Sequence, residues 1–424
     1  MSKEKRRVPK LRFPGFTEDW EQRKLGDTNT FFTDGNYGND YPTANEMSDS
    51  VNGVPFLRGS NLDNGAINLV DVNYITKQKH NLLTSGHTKF DDIIIAVRGS
   101  LGNCGYVAKQ FIDININSQL AIIRTDKNEL SGLFLIEYLL SSLGKKEINR
   151  NITGTALKQL PINSLKMINI KYPSINEQEK ISILLSKLNA IITLHQRKLE
   201  HLNLKKKALL QKLFPKDGER YPELRFPGFT DAWEQRKLGD VIASLYNGQT
   251  PSRFDKANWE GDIPWLTSGE LNRGVVNHSI EKITQQGRDD ANLKIVPKGT
   301  VVIAITGLEA AGTRGNCAKL GFDTTLNQSC MAIYPKSEFL DPDFLFQWYI
   351  AVGEEYGIKY TQGTKQQSYN AELIKILPIS VPRVTEQRKI TRILDSFDDI
   401  ITLHQRKLEH LQLQKKALLQ QMFV

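Results

Sequence analysis

The stretch Ile-Ile-Thr-Leu-His-Gln-Arg-Lys-Leu-Glu-His-Leu occupies residues 191–202 and recurs unchanged at residues 400–411. Around it, residues 173–214 align with residues 382–423 without a gap. In both copies apolar residues recur at alternating steps of three and four, which is the spacing of the a and d positions of a coiled coil. Each copy therefore predicts one long helix, and two equal helices in one chain most simply pair with each other.

The residues at this spacing form the predicted seam of the helix pair. About 38 residues at about 1.5 Å each give a helix about 57 Å long, which is too long to be buried in one small core. We interpret the two histidines of the seam as polar residues that fix the register, since a metal site would need further ligands. The seam positions are Leu185, Leu188, Ile192, His195, Leu199, Leu202, Lys206, Leu209 and Leu213 in the first helix, and Leu394, Phe397, Ile401, His404, Leu408, Leu411, Lys415, Leu418 and Met422 in the second.

A second repeat precedes each predicted helix. The segment Leu-Arg-Phe-Pro-Gly-Phe-Thr at 11–17 returns at 224–230, and Trp-Glu-Gln-Arg-Lys-Leu-Gly-Asp at 20–27 returns at 233–240. We call these two segments together the leading motif. A self-similar chain is best divided at its repeat. The chain is therefore one unit written twice, in which a leading motif, a body and a long helix follow one another.

The bodies between the leading motifs and the helices share an outline but little sequence. Each shows strand-like runs, glycine-bearing polar loops and an amphipathic helix, predicted at 133–148 in the first body and at 342–356 in the second. Each body is therefore predicted to be a mixed α+β domain. Nearly identical frames that carry diverged bodies suggest a fixed scaffold with two different recognition surfaces. The predicted segments are a first domain at 1–172 with its leading motif at 11–27, a first long helix at 173–214, a second domain at 215–381 with its leading motif at 224–240, and a second long helix at 382–424.

The composition is that of a folded, basic protein. The chain has 424 residues and a formal net charge of +9, and its pI of about 9.2 favours a polyanionic partner. Its three cysteines show neither disulfide nor metal-ligand spacing, which is typical of a reducing compartment. The first residues lack the apolar core of a signal peptide, and no apolar run reaches membrane-spanning length. We therefore expect a cytoplasmic protein with no membrane partner.

In its layout and its short motifs the chain resembles the specificity subunit of type I restriction–modification systems. The resemblance rests on the leading motifs, on the paired helices, and on Gly-Thr at 154–155 and 363–364 ahead of Glu-Gln at 177–178 and 386–387. It covers nearly the whole chain. It implies an α+β fold in which two similar mixed α/β target-recognition domains stand in pseudo-twofold tandem, joined by two long antiparallel coiled-coil helices.

The resemblance also implies a function and a set of partners. Each domain would read one half of a bipartite, asymmetric DNA site. The paired helices would set the length of the unread gap between the two half-sites and dock two modification (methyltransferase) subunits. The expected partners are double-stranded DNA, those two subunits, and the restriction/translocase subunits of the full complex. No cofactor is expected on this chain, whereas S-adenosylmethionine, ATP and Mg are expected on the partner subunits.

The residues themselves give no sign of catalysis. The sequence contains no Pro-Pro, and therefore no Asn/Asp-Pro-Pro-aromatic motif of an amino-methyltransferase, and it contains no Gly-x-Gly. Residues 307–313 have the spacing of a phosphate-binding loop but lack its lysine. We predict no catalytic residue and no metal site. The alternatives are a stand-alone DNA-modifying enzyme, which the missing motifs disfavour, and a coiled-coil scaffold without a DNA role, which the positive charge disfavours.

Candidate DNA contacts are taken from the polar loops of the bodies. Arginine is the most common reader of guanine in the major groove, and asparagine and glutamine pair with adenine. The alternative for each residue is an ordinary solvated turn. The candidate DNA contacts are Arg58, Ser60, Asn61, Arg98, Ser100, Asn103 and Lys158 in the first domain, and Thr267, Ser268, Glu270, Arg273, Arg314, Lys365, Gln366 and Gln367 in the second.

Overall fold

The computed structural model of the chain describes residues 8–35, 38–216, 218–363 and 367–423. The chain divides into two compact units. The first unit comprises Met1–Gln196 and Lys407–Val424, and the second comprises Arg197–Arg406. Each unit thus contains one body, one leading motif and a segment of each long helix.

The first unit is built on two four-stranded sheets and two strand pairs. The sheets have the strand orders β2-β11-β8-β9 and β10-β4-β7-β3, and the pairs are β1-β12 and β5-β6. The strands are β1 (Glu21–Lys24), β2 (Phe31–Asp34), β3 (Met47–Ser48), β4 (Val54–Leu57), β5 (Leu62–Asp63), β6 (Ala66–Ile67), β7 (Asn73–Ile75), β8 (Ile93–Ala96), β9 (Cys104–Tyr106), β10 (Asn115–Ile116), β11 (Leu120–Arg124) and β12 (Asn169–Tyr172). The helices are α1 (Lys77–Leu82), α2 (Gly132–Leu140), α3 (Ser142–Arg150), α4 (Ile162–Lys166) and the first part of α5 (Ile175–Leu213).

Strand β8 is buried on both of its faces. Ile93 and Ile95 pack in one apolar cluster with Phe134 of α2, whereas Ile94 packs in another with Leu57 of β4. Alternate side chains of a strand point to opposite faces of the sheet. A strand covered on both faces is therefore apolar throughout, as this strand is.

The amphipathic helix predicted at 133–148 is two helices, so the prediction of one continuous helix was wrong. Ser141 ends α2 and caps α3, since its Oγ accepts a hydrogen bond from Gly144 N at 3.1 Å. A Cβ on Gly144 would lie 2.1 Å from Tyr138 O. The chain can turn this sharply here because Gly144 has no side chain.

The second unit contains a five-stranded sheet in the order β14-β21-β18-β19-β16, a three-stranded sheet in the order β17-β15-β20, and the pair β13-β22. The strands are β13 (Glu234–Lys237), β14 (Ile242–Asn247), β15 (Trp259–Leu266), β16 (Val275–Val276), β17 (Glu281–Ile283), β18 (Val301–Ala304), β19 (Cys317–Leu320), β20 (Thr325–Leu326), β21 (Cys330–Pro335) and β22 (Pro378–Val381). The helices are α6 (Leu238–Val241), α7 (Gln285–Asp290), α8 (Pro342–Lys359), α9 (Ala371–Lys375) and α10 (Val384–Met422), whose last part belongs to the first unit.

In each unit a buried ion pair joins the leading motif to the beginning of a long helix. We call this ion pair the helix clamp. Arg12 donates from Nε and Nη2 to the two carboxylate oxygens of Glu177, both at 2.8 Å. Arg225 and Glu386 form the same two bonds at 2.8 and 2.9 Å. Both carboxylates are buried. The clamp explains why arginine in the leading motif and Glu-Gln at the helix start recur together.

The glutamine of each Glu-Gln pair ties the helix to the body. Gln178 Nε2 donates to Glu129 O and Pro173 O, both at 2.9 Å, and its Oε1 accepts from Ser131 N. Gln387 makes the equivalent three bonds in the second unit. All the bonding groups of a fully buried amide are thus engaged, as burial requires.

Within each unit the segments of α5 and α10 pack antiparallel. In the first unit, Leu185 near the start of α5 shares an apolar cluster with Met422 at the end of α10. In the second unit, Leu213 at the end of α5 shares a cluster with Leu394 near the start of α10. Every residue of the predicted seam is buried or half-buried. The predicted fold, with two mixed bodies and two long antiparallel helices, is confirmed.

None of the helices in the described part of the chain combines the length and the apolar character that crossing a bilayer needs.

Candidate nucleic-acid interface

In the first body a short turn joins the ends of β4 and β8. Asn117 N donates to Leu57 O at 2.9 Å, and Val97 N donates to Gln119 O at 2.8 Å. The Asn117 side chain closes the turn by accepting from Gln119 N at 3.0 Å. The loops that follow β4 and β8 therefore leave the sheets at one edge of the body.

One further loop lies at the same edge, and hydrogen bonds join the loops there. Asn103 Nδ2 donates to Leu62 O at 3.3 Å, which joins the loop after β8 to the first residue of β5, directly after the loop that follows β4. Leu160 N donates to Val97 O at 3.0 Å, which places the loop before α4 beside the end of β8. We name these four loops the first loop cluster. It comprises residues 58–61, 98–103, 117–119 and 153–159.

The first loop cluster exposes most of the side chains that the sequence proposed as DNA contacts. These exposed residues are Ser60, Arg98, Ser100, Asn103 and Lys158. They combine two cations, two hydroxyls and one amide, which are groups that bond to phosphate oxygens and to base edges. Within the cluster, Asn103 Nδ2 donates to Leu62 O and Arg98 Nη1 donates to Ser118 O, both at 3.3 Å.

Two of the candidates direct their polar groups into the body itself. Asn61 is buried, its Oδ1 accepts from Arg58 N at 2.9 Å, and its Nδ2 donates to Asn68 O at 3.0 Å. Arg58 is half-buried and donates from Nη2 to Asp71 O at 2.6 Å. These side chains stabilise the turn that presents Ser60, and we therefore interpret them as structural residues of the loop and not as base contacts.

The second body repeats the construction. Asn327 N donates to Leu266 O at 2.9 Å, and Ile305 N donates to Ser329 O at 2.9 Å, so a turn again joins the ends of the two strands. The Asn327 side chain accepts from Ser329 N at 3.1 Å, as Asn117 does in the first body. The same local structure is thus built twice from different loop sequences.

The remaining loops of the second body also meet at that edge. Arg273 Nη2 donates to Arg314 O at 2.6 Å, and Leu308 N donates to Gln367 O at 3.1 Å. Tyr369 N donates to Ile305 O at 2.8 Å. We name these loops the second loop cluster. It comprises residues 267–273, 306–316, 327–329, 362–363 and 367–368.

Besides Arg273, three more of the second-body candidates are engaged in hydrogen bonds of the loops. Thr267 donates to Glu270 Oε2 from N and from Oγ1, both at 2.8 Å, and Glu270 Oε1 accepts from Ile280 N at 2.7 Å. Arg314 donates from Nε to Leu308 O and from Nη2 to Glu309 O, both at 3.0 Å. These bonds define the shape of the loops and leave fewer groups for a ligand.

The other second-body candidates differ in exposure. Arg273 is exposed, whereas Ser268 and Gln367 are half-buried. Arg273 adopts a left-handed backbone conformation with φ of 58°, which is uncommon for a residue other than glycine. Lys365 and Gln366 lie outside the described residues. Arg273 is the exposed cation among the described candidates of the second loop cluster, and its Nε and Nη2 also donate to Asn316 Oδ1 at 3.3 Å and Arg314 O at 2.6 Å.

The sequence analysis missed the turn that joins the strand ends. Its exposed side chains are Gln119 in the first body and Gln328 in the second. The signal was Asn-Ser-Gln before β11 and Asn-Gln-Ser before β21, which recur at equivalent places in two otherwise dissimilar bodies. Exposed glutamine amides suit the readout of adenine, so we add both residues to the candidate contacts.

The cysteines near the clusters are not activated for chemistry. Burial raises the pKa of the Cys104 thiol to about 12 and that of the Cys317 thiol to about 12. A thiol must ionise before it can act as a nucleophile, and these thiols stay protonated near neutral pH. The loop clusters therefore offer hydrogen-bond donors, acceptors and charge, which are the means of binding.

Two similar bodies, each with polar loops gathered at one edge and each attached to a long helix, define a class of modular protein with two related polar loop surfaces. Residues 17–204 and 230–413 each match the type I restriction modification DNA specificity domain. These two matches cover most of the chain, which therefore belongs to this family. It is a non-catalytic DNA specificity subunit that assembles into a type I restriction–modification complex, and not a stand-alone enzyme or a scaffold without a DNA role.

Individual relatives are similar to this chain over all or part of their length. A protein of Methanocaldococcus jannaschii named the type I restriction enzyme MjaX specificity subunit is 25% identical over 419 residues, which are 95% of this chain and 92% of the relative. The EcoR124I/EcoR124II specificity subunit of Escherichia coli is 28% identical over 170 residues, 39% of this chain and 41% of the relative. The crystal structure of the type I S subunit from M. genitalium has a similar fold, with a TM-score of 0.65, 16% identity, and coverage of 98% of this chain and 99% of that chain.

Proposed function

We propose that the first and second loop clusters are the surfaces through which this subunit reads DNA, each cluster reading one half of a bipartite, asymmetric site. The observation that carries the proposal is the construction of the two clusters. The same backbone hydrogen bonds gather the loops in both bodies, while the exposed side chains differ. A constant frame with variable exposed donors and acceptors is what reading two unlike half-sites requires.

The test substitutes one exposed cation in each cluster. Arg98→Ala and Arg273→Ala are made in the full chain, assembled with the methyltransferase subunits, and the methylated sites are mapped by sequencing. An arginine that pairs with guanine contributes about 1–3 kcal/mol of discrimination. We expect Arg98→Ala to relax letters of one half-site only, and Arg273→Ala to relax letters of the other half-site only.

A matched control separates a specific contact from a loss of charge. Lys24 is exposed on β1, outside the first loop cluster, and Lys24→Ala removes the same charge. This variant should keep both half-sites unchanged. Relaxation of both half-sites by either arginine variant would refute the assignment of one half-site to each cluster.

We further propose that two methyltransferase subunits dock on the long helices, which also set the unread gap, and that restriction/translocase subunits complete the assembly. In this proposal S-adenosylmethionine, ATP and Mg are bound by those partners. The support is a set of exposed leucines at equivalent positions of the repeat. Leu194 and Leu403 are each 66% exposed, and Leu204 and Leu413 are 67% and 65% exposed. Exposed apolar residues repeated at matching positions are typical of a surface that two identical partners cover.

The docking proposal is tested by changing one leucine at a time. Leu194→Glu and Leu403→Glu should each reduce the bound methyltransferase from two copies per chain to one, as measured by native mass spectrometry. The double variant should bind none. A double variant that still binds two copies would refute the docking surface while leaving the DNA-reading proposal intact.

A further inference from the structure

A cluster of two histidines and one aspartate lies in the first body, outside the first loop cluster. His80 Nε2 is 3.5 Å from Asp113 Oδ2, and His87 Nδ1 is 3.2 Å from Asp113 Oδ1. One nitrogen of each ring and one carboxylate oxygen lie within 4.8 Å of one another. The three side chains thus present their donor atoms to a common point.

The backbone places these side chains together. Thr76 caps α1 by accepting from Lys79 N at 3.1 Å, and the helix carries His80 to a buried position. Residue His87 forms an antiparallel bridge with Asn115. Asp113 has a left-handed φ of 58°, which turns the chain immediately before β10.

The hydrogen bonds behind the histidines orient the free nitrogens. His87 Nε2 lies 2.8 Å from Leu83 O, and because a carbonyl oxygen only accepts, Nε2 carries the proton. His80 Nδ1 is bonded to Asn115 Oδ1, an acceptor as well. A neutral ring in this tautomer turns a lone pair toward the Asp113 carboxylate, whereas a doubly protonated ring donates to it, as His87 Nδ1 and Asp113 Oδ1 at 3.2 Å allow. In histidines that ligate metals, the ring nitrogen that does not bind the metal is typically hydrogen-bonded to an oxygen atom of this kind.

In the neutral tautomers the two lone pairs and the carboxylate repel one another, and either a proton on each ring or a metal cation between the groups removes that repulsion. In tetrahedral zinc sites, bonds of about 2.0–2.1 Å separate neighbouring ligand atoms by about 3.3 Å. The separation of 3.2 Å between His87 Nδ1 and Asp113 Oδ1 and that of 3.5 Å between His80 Nε2 and Asp113 Oδ2 are close to this value, and one ligand atom of each residue lies within 4.8 Å of the others. Two imidazoles and one carboxylate are also a common zinc ligand set with an open fourth position.

We propose that His80, His87 and Asp113 bind a zinc ion. Nε2 of His80, Nδ1 of His87 and one oxygen of Asp113 are the protein ligands, and the exposure of Asp113 leaves the fourth position to water. The ion would tie α1 and the loop after it to the start of β10. Since β10 pairs with β4, the zinc ion would also stabilise the position of β4, the strand that leads into the loop at 58–61.

The second body shows that its fold does not need these histidines. At the positions equivalent to His80 and His87 it has Arg288 and Ile295, although it keeps an aspartate, Asp323. There, Arg288 Nε donates to Leu293 O at 3.2 Å, so an arginine stabilises the segment after the helix through a hydrogen bond to a backbone carbonyl. The histidine pair is therefore a distinct feature of the first body, where the sequence analysis predicted no metal site.

The test measures zinc bound by the full-length chain, prepared without a polyhistidine tag and stripped with a chelator. Titration with zinc chloride, with metal content read by mass spectrometry, should give one zinc per chain. Asp113→Asn and His87→Ala should each bind none. Asparagine tolerates the left-handed backbone at this position, so the Asp113 variant is expected to fold.

A control and a second readout complete the test. His278→Ala removes an exposed histidine of the second body and should still bind one zinc. Zinc should raise the Tm of the parent chain by a few degrees and leave the Tm of Asp113→Asn unchanged, because only a bound ligand stabilises the folded state. Absence of stoichiometric zinc in the parent, or one zinc per chain in both cluster variants, would overturn the proposal.

Discussion

In both units a lysine of the helix seam lies near a carboxylate that also accepts a hydrogen bond from an amide side chain. In the first unit the body supplies the acid and a long helix supplies the amide, whereas in the second unit the long helix supplies the acid and the body supplies the amide. In the first unit the acid is Glu137 on α2. Its Oε1 accepts from Asn189 Nδ2 of α5 at 2.7 Å, and its Oε2 lies 3.7 Å from Lys415 Nζ of α10.

In the second unit the acid lies on the long helix. Asp398 of α10 accepts from Lys206 Nζ of α5 at 2.6 and 2.8 Å. The amide lies on the body, where Gln347 Nε2 of α8 donates to Asp398 Oδ2 at 3.0 Å. Gln347 occupies the position of Glu137 in its own unit.

The exchange shows what the structure requires at this place. A buried lysine needs one negative charge, and a buried carboxylate needs a further donor, whichever element supplies each of them. The helix clamp is the opposite case, because both units use the same arginine and the same glutamate there. The two units therefore use identical residues at the helix clamp, and they use different residues where only the charge of a buried lysine has to be balanced.

The largest effect is expected at the helix clamp. Arg12→Ala leaves the buried Glu177 carboxylate unpaired, and removing one member of a buried ion pair costs about 3–5 kcal/mol. Arg225→Ala should lower the free energy of unfolding by a similar amount, because the second clamp has the same geometry. Urea unfolding of the full chain measures both effects.

Arg12→Lys is the control for charge alone. Lysine keeps the charge but cannot form two parallel bonds to a carboxylate, so this variant should lie between Arg12→Ala and the parent. If the alanine variants of the two clamps differed by more than about 2 kcal/mol, the clamps would not be energetically equivalent.

A smaller loss is expected when Lys206 loses its acid. Asp398→Asn removes a charge-assisted hydrogen bond, which contributes about 1.5–3 kcal/mol, to a lysine that is only 8% exposed. Adding Gln347→Glu returns a carboxylate from the position that the first unit uses, although here it faces Asp395, to which Gln347 donates at 3.1 Å. The double variant should therefore recover part of the lost stability, as measured by urea unfolding. A double variant no more stable than Asp398→Asn would show that the two arrangements are not interchangeable.

The sequence predicted those features that repeat or follow a local period. The long helices, their seam and both seam lysines follow from spacing alone, since a helix places residues by their separation along the chain. The break in the first amphipathic helix was missed, because its cause is the close approach of Gly144 to Tyr138 O. Only the folded chain shows that contact.

The candidate site was predictable by residue type but not by role. Asn61 and Arg314 have side chains suited to base contact, yet nearby carbonyl groups engage them, and no sequence pattern distinguishes the two uses. Gln119 was missed because Asn-Ser-Gln is typical of any turn. The histidine cluster was missed because Asp113 reaches His80 and His87 through sheet pairing between distant segments.

In the first unit the corresponding substitution should have a weaker effect. Glu137→Gln removes the acid from Lys415, but the separation of 3.7 Å is longer than in the second unit, so the expected loss is about 1 kcal/mol. Asn189→Asp should restore stability by placing the acid on the helix, as in the second unit. Thermal unfolding of the single and double variants measures this exchange. Additive losses in the double variant would contradict it.

The smallest effect concerns Asp395, which the second unit has and the first replaces with Ser186. Burial raises the pKa of Asp395, Asp343 and Asp398 raise it further, and the bond from Gln347 Nε2 and the charge of Lys319 oppose the shift. An acid with a raised pKa in the folded state holds its proton more strongly than in the unfolded state. Its ionised form therefore reduces stability above the raised pKa, and this loss disappears as pH falls below the ordinary value of about 3.9.

Asp395→Asn should accordingly stabilise the protein near neutral pH and have no effect at low pH. The gain should stay below about 1 kcal/mol, because Asp395 is only half-buried and solvent weakens the interaction. Urea unfolding of parent and variant at pH 7 and near pH 4 measures the difference. Ser186→Asp is the matched change in the first unit and should introduce the same pH-dependent loss. A gain from Asp395→Asn that is equal at both pH values would show that the effect arises from packing and not from ionisation.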